Sequence, residues 1–275
     1  PYDKDDVKRT QQIMTCVDAE VKECEEIQIA HTYDEMMQAN KAGKIYIFKG
    51  IEGLAAIGEG LSKIDKYYDF GCRHAMLTWN EANALGAGAL SGQSYGLTAA
   101  GKEAAKLIQA KGMLLDVSHL NDAGFWDIVK LAKKPIVASH SNSRVMCDVP
   151  PNLTDDQLRA IRDLDGVVGL NSFNIFVDHD PAKQTVENLA RHAEHMIDIM
   201  GIDHVGCGFD FFEFIEDEET MGSMAASSTP AVTGMDDASQ IPNLFKVFEK
   251  MGLSQEERDK IARLNFQAVV KKTIG

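Results

Sequence analysis

Short apolar runs alternate along this chain with longer stretches whose apolar residues recur every three or four positions. The runs are Ile45–Phe48, His74–Thr78, Met113–Val117, Pro135–Ala138, Gly166–Leu170 and His204–Gly208. They are continuous rather than alternating, which suits strands buried on both faces of a parallel sheet. Helix start signals stand between them. Thr98 opens a segment that runs through Ala104, Ala105 and Ile108. Thr154 and Gln157 read as a capping box ahead of the stripe Leu158, Ile161 and Leu164. The stretch from Thr185 to Met200 places Val186, Leu189, Ala193, Met196, Ile197 and Met200 on one face. Ser254 caps the last helix, with Ile261, Leu264 and Val269 predicted to point inward. Strand followed by helix, repeated, implies right-handed crossovers and a parallel sheet.

Six strands are predicted, whereas a closed parallel barrel needs eight. The first forty residues, rich in Asp, Glu, Lys and Gln, read as two helices. The expected fold is therefore α/β, a TIM-like (β/α)8 barrel forming one domain over 1–275, with its first two strands missing from this chain. An open six-stranded sheet is the alternative. In the barrel, Ile45–Phe48 and Val205–Gly208 would be the strands flanking the gap. An unpaired edge exposes backbone N–H and C=O groups. The gap is thus expected to be filled by an N-terminal piece or by a second chain.

Composition narrows the partners. The net charge of −14 argues against nucleic acid and anionic membrane surfaces. No apolar run approaches the roughly 18 residues of a membrane span. The polar start, Pro1 to Asp6, shows no signal peptide, so a cytoplasmic location is expected, although a leader already removed would leave no trace. The five cysteines are widely spaced and contain no Cys-x-x-Cys, which predicts reduced thiols.

In a parallel barrel the chemistry gathers where strands end and loops begin. Four candidates fall there: Glu52 in Gly50-Ile51-Glu52-Gly53, His119 after Asp116-Val117-Ser118, His140 after Ala138-Ser139, and Asp210 after Gly208-Phe209. Imidazole and carboxylate are ligands for zinc or a similar divalent ion. A hydrolase needs such an ion to make hydroxide at neutral pH, and a further carboxylate to move the proton. Other features read as structural. His192 and His195 are expected near the surface of an outer helix. Asp178-His179-Asp180 and the acidic run Glu213, Glu216, Asp217, Glu218 and Glu219 are expected to be solvated loops. Gly86-Ala87-Gly88-Ala89 is too weak a signal for a phosphate cradle.

The segments Leu114–His119, Pro135–Asn142 and Val205–Phe211 resemble three signature strands of the membrane dipeptidases. Gly50–Gly53, Cys72–Asn80, Asn152–Asp155 and Leu264–Phe266 match further family motifs, so the resemblance covers about 44–270. It implies a TIM-like (β/α)8 metallohydrolase barrel, and a zinc dipeptidase with two ions per site in the family. It also implies a small dipeptide substrate, no nucleic acid and room for a homodimer. Glu52 matches the bridging carboxylate, His119 and His140 two imidazole ligands, and Asp210 the carboxylate that handles the proton of the attacking water. Three departures matter. No His-x-Asp stands where the family's first strand carries one, so a single ion is expected from the ligands present. Trp79 occupies a position that is usually His; together with Asn80 it is assigned to substrate binding. Pro151 stands where relatives carry a substrate-binding Arg, and Arg144 is the candidate replacement. The rival expectation is a metal-poor, non-catalytic or substrate-shifted relative that acts as a small-molecule or partner-binding barrel.

Overall fold

The computed structural model describes residues 6–58, 60–212 and 231–275. Their backbone falls into two compact units, one comprising residues up to Val137 together with Gln267–Gly275, the other Ala138–Phe266.

The first unit opens with helix α1 (Asp6–Glu23), strand β1 (Ile27–Ile29), helix α2 (Tyr33–Lys41) and strand β2 (Ile45–Ile47). The two predicted helices are present. The short strand between them was not anticipated, because three residues flanked by charge carry too little pattern to read. The expected strand Ile45–Phe48 is also corrected. Ile45–Ile47 pairs in parallel with Ile27–Ile29 as a separate two-stranded sheet. The chain breaks at Phe48, and a new strand, β3 (Lys49–Ile51), pairs with β4 (Cys72–Met76). Lys49, not Ile45, therefore begins the strand that delivers Glu52.

Helix α3 (Ser62–Asp69) precedes β4, and helix α4 (Ala99–Ala110) leads to β5 (Leu114–Asp116). Helix α5 (Asp122–Leu131) then leads to β6 (Ile136–Ala138). Strands β4, β5 and the first residues of β6 pair in parallel, in chain order. Ala75, Met76, Leu115, Ile136 and Val137 are all at most 2% exposed, as expected of strands covered on both faces. Helix α4 begins as predicted: Thr98 accepts a hydrogen bond from the Gly101 N–H, and Ala104, Ala105 and Ile108 are buried. Such a cap contributes about 1 kcal/mol.

In the second unit, helix α6 (Asp155–Asp163) starts with the predicted capping box of Thr154 and Gln157 and feeds β7 (Val167–Leu170). Helix α7 (Val186–Met200) leads to β8 (Val205–Cys207), which pairs in parallel with β7. Helix α8 (Ile241–Lys250) follows, and then α9 (Gln255–Asp259), which opens on the capping box of Ser254 and Glu257. A π-turn at Lys260–Leu264 separates α9 from α10 (Asn265–Thr273). That turn rotates the stripe, so Ile261 is buried but Leu264, predicted inward, is 37% exposed.

The placement of His192 is a second correction. It is fully buried on α7, where its Nδ1 accepts from the Ser143 N–H and its Nε2 donates to the Val177 carbonyl. Burial lowers its pKa, which keeps it neutral. His195 lies half-buried against Asp155. The predicted acidic run at 213–219 lies outside the described residues.

Candidate active site

Each candidate side chain sits at the point where a strand gives way to a loop. Glu52 follows β3 directly, and Gly53 after it has φ +83°, a conformation that glycine adopts without penalty. Gly50 is required for a different reason. A Cβ there would fall 2.5 Å from His74 Nδ1, so the imidazole of β4 lies directly over the β3 backbone.

His119 ends the β5 segment in a left-handed conformation, φ +64°; Asp210, after β8, has φ +59°. Three non-glycine residues among those described have positive φ, and two of them are sequence-predicted functional positions. Such backbone costs about 1–3 kcal/mol and is retained where the surroundings enforce it, often at functional sites. At His119 the enforcement is visible. Its carbonyl accepts from the Ala89 N–H at 2.8 Å and from Thr78 Oγ1 at 3.3 Å. The ring lies between two oxygens. Nε2 is 2.9 Å from Glu52 Oε1, and Nδ1 is 2.9 Å from Asn80 Oδ1.

Beneath this pair lies a carboxylate to which the sequence reading gave no role. Asp116, the last residue of β5, is fully buried. Its Oδ2 is 2.6 Å from His74 Nε2, and its Oδ1 accepts from the Ser118 N–H at 2.8 Å. The available signal was a charged residue inside the otherwise apolar run Leu114-Leu115-Asp116-Val117, since a buried charge requires a partner.

Glu52 and Trp79 line a cleft of about 410 Å³, together with Gly53, Ala55, Glu81, Ala82, Asn83 and Ala84. The Trp79 and His119 rings lie 6.0 Å apart. Trp79 is thus placed where a small ligand would meet it, whereas Asn80 turns its side-chain oxygen to His119.

In the second unit, His140 is 8% exposed, with Nδ1 2.9 Å from Ser139 Oγ. Glycine permits this loop its position, since a Cβ on either Gly169 or Gly208 would run into the Ser139 carbonyl. Asn142 exchanges two hydrogen bonds with the Asn171 backbone, and Asn152 donates to the carbonyls of Cys147 and Phe176. The Arg144 guanidinium donates to the carbonyls of Asn152 and Pro150, at 2.8 and 2.9 Å, and so braces the loop that carries Pro151. Asp210 borders a small cavity with Ser172, Phe173 and Phe212. Burial raises the thiols of Cys72 and Cys147 to about 11 and that of Cys207 to about 12, so none is a thiolate at neutral pH. In the first unit, Glu52 and His119 together offer a carboxylate and an imidazole, side chains able to hold a metal ion. No helix among those residues is long and apolar enough to cross a membrane.

Comparison with known proteins agrees with this chemistry. The model of the membrane dipeptidase family, peptidase family M19, matches residues 1–274, and the chain belongs to that family. Its fold class is the family's α/β metallohydrolase barrel, and the family's reaction is metal-dependent dipeptide hydrolysis. The chain is 37% identical over 232 residues to the uncharacterized protein in the pqqA 5′ region of Klebsiella pneumoniae, covering 80% of this chain and 79% of that one. It is 31% identical over 237 residues to an uncharacterized dipeptidase of Schizosaccharomyces pombe, covering 84% of this chain and 54% of that one. The chain thus spans about half the length of that relative. Among solved structures it resembles a metallopeptidase of Rhodobacter sphaeroides liganded with a phosphinate mimic of the dipeptide L-Ala-D-Ala. The TM-score is 0.80 and the identity 28%, over 90% of this chain and 69% of that one.

Proposed function

We propose that this chain hydrolyses small dipeptides, with Glu52, His119 and His140 holding one zinc ion. The observation that carries the reading is the Glu52 carboxylate 2.9 Å from the His119 imidazole, to which the family resemblance adds His140 as a second imidazole. Catalytic zinc takes three protein ligands of this kind and keeps a position open for water. Calcium and magnesium favour all-oxygen sets, so the two imidazoles fit zinc better. The Rhodobacter relative, which binds a dipeptide mimic, supports a dipeptide as the substrate class.

When bound, such an ion makes hydroxide available at neutral pH and polarises the peptide carbonyl. The remaining work belongs to side chains. Asp210 takes the proton of the attacking water on its carboxylate and returns it to the leaving amine nitrogen. Trp79 forms an apolar wall of the cleft beside Glu52 and packs on the substrate. Arg144 supplies a guanidinium in the loop where Pro151 cannot, and meets the substrate carboxylate.

Pro151 supports a second reading, in which the substrate is another small amide. Losing a guanidinium–carboxylate contact removes a charge-assisted bond worth about 1.5–3 kcal/mol. Free and C-terminally amidated dipeptides, assayed with zinc and with a chelator, test both readings. Zinc-dependent cleavage of free dipeptides, abolished in Asp210→Asn, is the expected result. Cleavage confined to the amides would favour the second reading. Absence of cleavage in both series would overturn the first and leave a binding barrel.

A further inference from the structure

The cleft of about 410 Å³ beside Glu52 falls within the usual size of small-molecule sites, about 300–1,000 Å³. Its lining is small and apolar at Gly53, Ala55, Ala82 and Ala84, and its charged members are the carboxylates of Glu52 and Glu81. None of the described residues that line it is basic. We propose that Glu81 is a specificity-determining residue that, with Trp79, receives a cationic side chain on the N-terminal residue of the substrate. The inference rests on the reading of this cleft as the dipeptide site.

Charge decides which end of a dipeptide enters. The C-terminal residue carries a free carboxylate, which a cleft lined by two carboxylates repels. The N-terminal residue carries an ammonium, which the same cleft attracts. The proposed function already commits Glu52 to the ion, so Glu81 is the charge left to select among N-terminal residues. The rest of the lining suits a long basic side chain. The alanines leave room for it, and their methyl groups cover its CH₂ stem. Trp79 supplies an aromatic ring, which attracts an ammonium or guanidinium placed within about 6 Å of its centre. The loop that carries Glu81 is tied down through its backbone. The Glu81 carbonyl accepts from the Gly88 N–H at 3.1 Å, and the Asn80 carbonyl from the Leu90 N–H at 3.1 Å. Asn83 braces the next turn, donating to the Leu77 carbonyl at 2.8 Å and accepting from the Leu85 N–H at 2.7 Å. A charge on a loop already ordered loses less entropy when a ligand arrives. Glu81 is exposed, so water and salt screen it and the selection is modest.

Steady-state kinetics of the zinc-loaded protein on Lys-Ala, Met-Ala and Glu-Ala, at about 0.01 M salt where screening is weak, test the proposal. Lys-Ala should exceed Met-Ala in kcat/KM by about two- to fivefold, the effect of one solvent-exposed charge pair, and Glu-Ala should be the poorest of the three. The gain should lie in KM, because the contact is made equally in the bound substrate and in the transition state. Raising the salt to about 1 M should bring the ratio of Lys-Ala to Met-Ala to about one. Glu81→Gln should do the same at low salt, and Glu81→Lys should place Glu-Ala above Lys-Ala. These readouts are ratios, so a general loss of activity does not move them. Equal kcat/KM for Lys-Ala and Met-Ala in the wild type, or a preference for Lys-Ala that survives in Glu81→Gln, would overturn the proposal. If Glu81→Gln does not fold, the salt dependence of the wild-type ratio decides. Calorimetric binding of the same dipeptides separates this failure from failure of the dipeptidase reading. No cleavage, with Lys-Ala bound more tightly than Met-Ala, would overturn the hydrolytic reading and keep the cationic subsite. No cleavage, with equal or no binding, would overturn both.

Discussion

Replacing Asp116 by Ala removes a fully buried carboxylate from two partners at once, His74 Nε2 at 2.6 Å and the Ser118 N–H at 2.8 Å. Hydrogen bonds to a charged group contribute about 1.5–3 kcal/mol each. Breaking a buried pair from one side costs about 3–5 kcal/mol, because the abandoned group stays desolvated. The His74 side chain is 18% exposed, so water can partly replace the lost carboxylate, and the lower end, about 3 kcal/mol, is expected. At roughly 2–4 °C per kcal/mol for a chain of this size, Asp116→Ala should melt about 6–12 °C below wild type. Asp116→Asn keeps an acceptor for the Ser118 N–H and should lose about half as much. Thermal melts of the metal-free proteins, followed by circular dichroism, measure both. A loss below about 2 °C for Asp116→Ala would refute the claim that this carboxylate anchors the strand end. Equal losses for Ala and Asn would refute the role given to the Ser118 contact.

Gly208→Ala should destabilise the protein by about 1–3 kcal/mol, since the new Cβ meets the Ser139 carbonyl and an overfilled site must move backbone. It should also weaken zinc binding by displacing the residue before His140; unchanged melting and unchanged affinity would contradict this. His192 gives a pH dependence. Its folded pKa is lowered by burial, so below about pH 6.5 the unfolded chain takes up a proton that the folded one refuses. Its contribution to stability is therefore complete above that pH and declines as the pH falls, by at most about 1.4 kcal/mol per unit. Urea titrations of wild type and His192→Gln from pH 8 to pH 5 should diverge below pH 6.5, and parallel curves would refute the assignment.

Much of this molecule was legible in the sequence, because the informative residues were those with strong local consequences. Buried parallel strands must be apolar on both faces, so β4 to β8 stood out as continuous runs. Thr98, Thr154 and Ser254 announced their helices because a cap needs a short oxygen-bearing side chain at one defined position. Glu52, His119, His140 and Asp210 could be proposed as site residues because a polar residue at the end of a buried strand has few structural reasons to be there. What escaped was set by distant contacts. Strand β1 is three residues long and exists only because β2 pairs with it. Its separation from β3 depends on a break at Phe48 that has no propensity signal. Leu264 faces outward because of a π-turn. His192 is buried because Ser143 and Val177, far away in sequence, satisfy both of its nitrogens. The support of His119 by Asn80 likewise joins residues 39 apart.

The account stands or falls on whether Glu52, His119 and His140 share a metal ion. Anomalous diffraction at the zinc absorption edge, from crystals of zinc-loaded protein, addresses that directly. The predicted result is one anomalous peak, about 2.0–2.2 Å from a Glu52 carboxylate oxygen and from a ring nitrogen of each histidine. A zinc-loaded crystal with no peak at these three side chains, or with its peak on other residues, would contradict it.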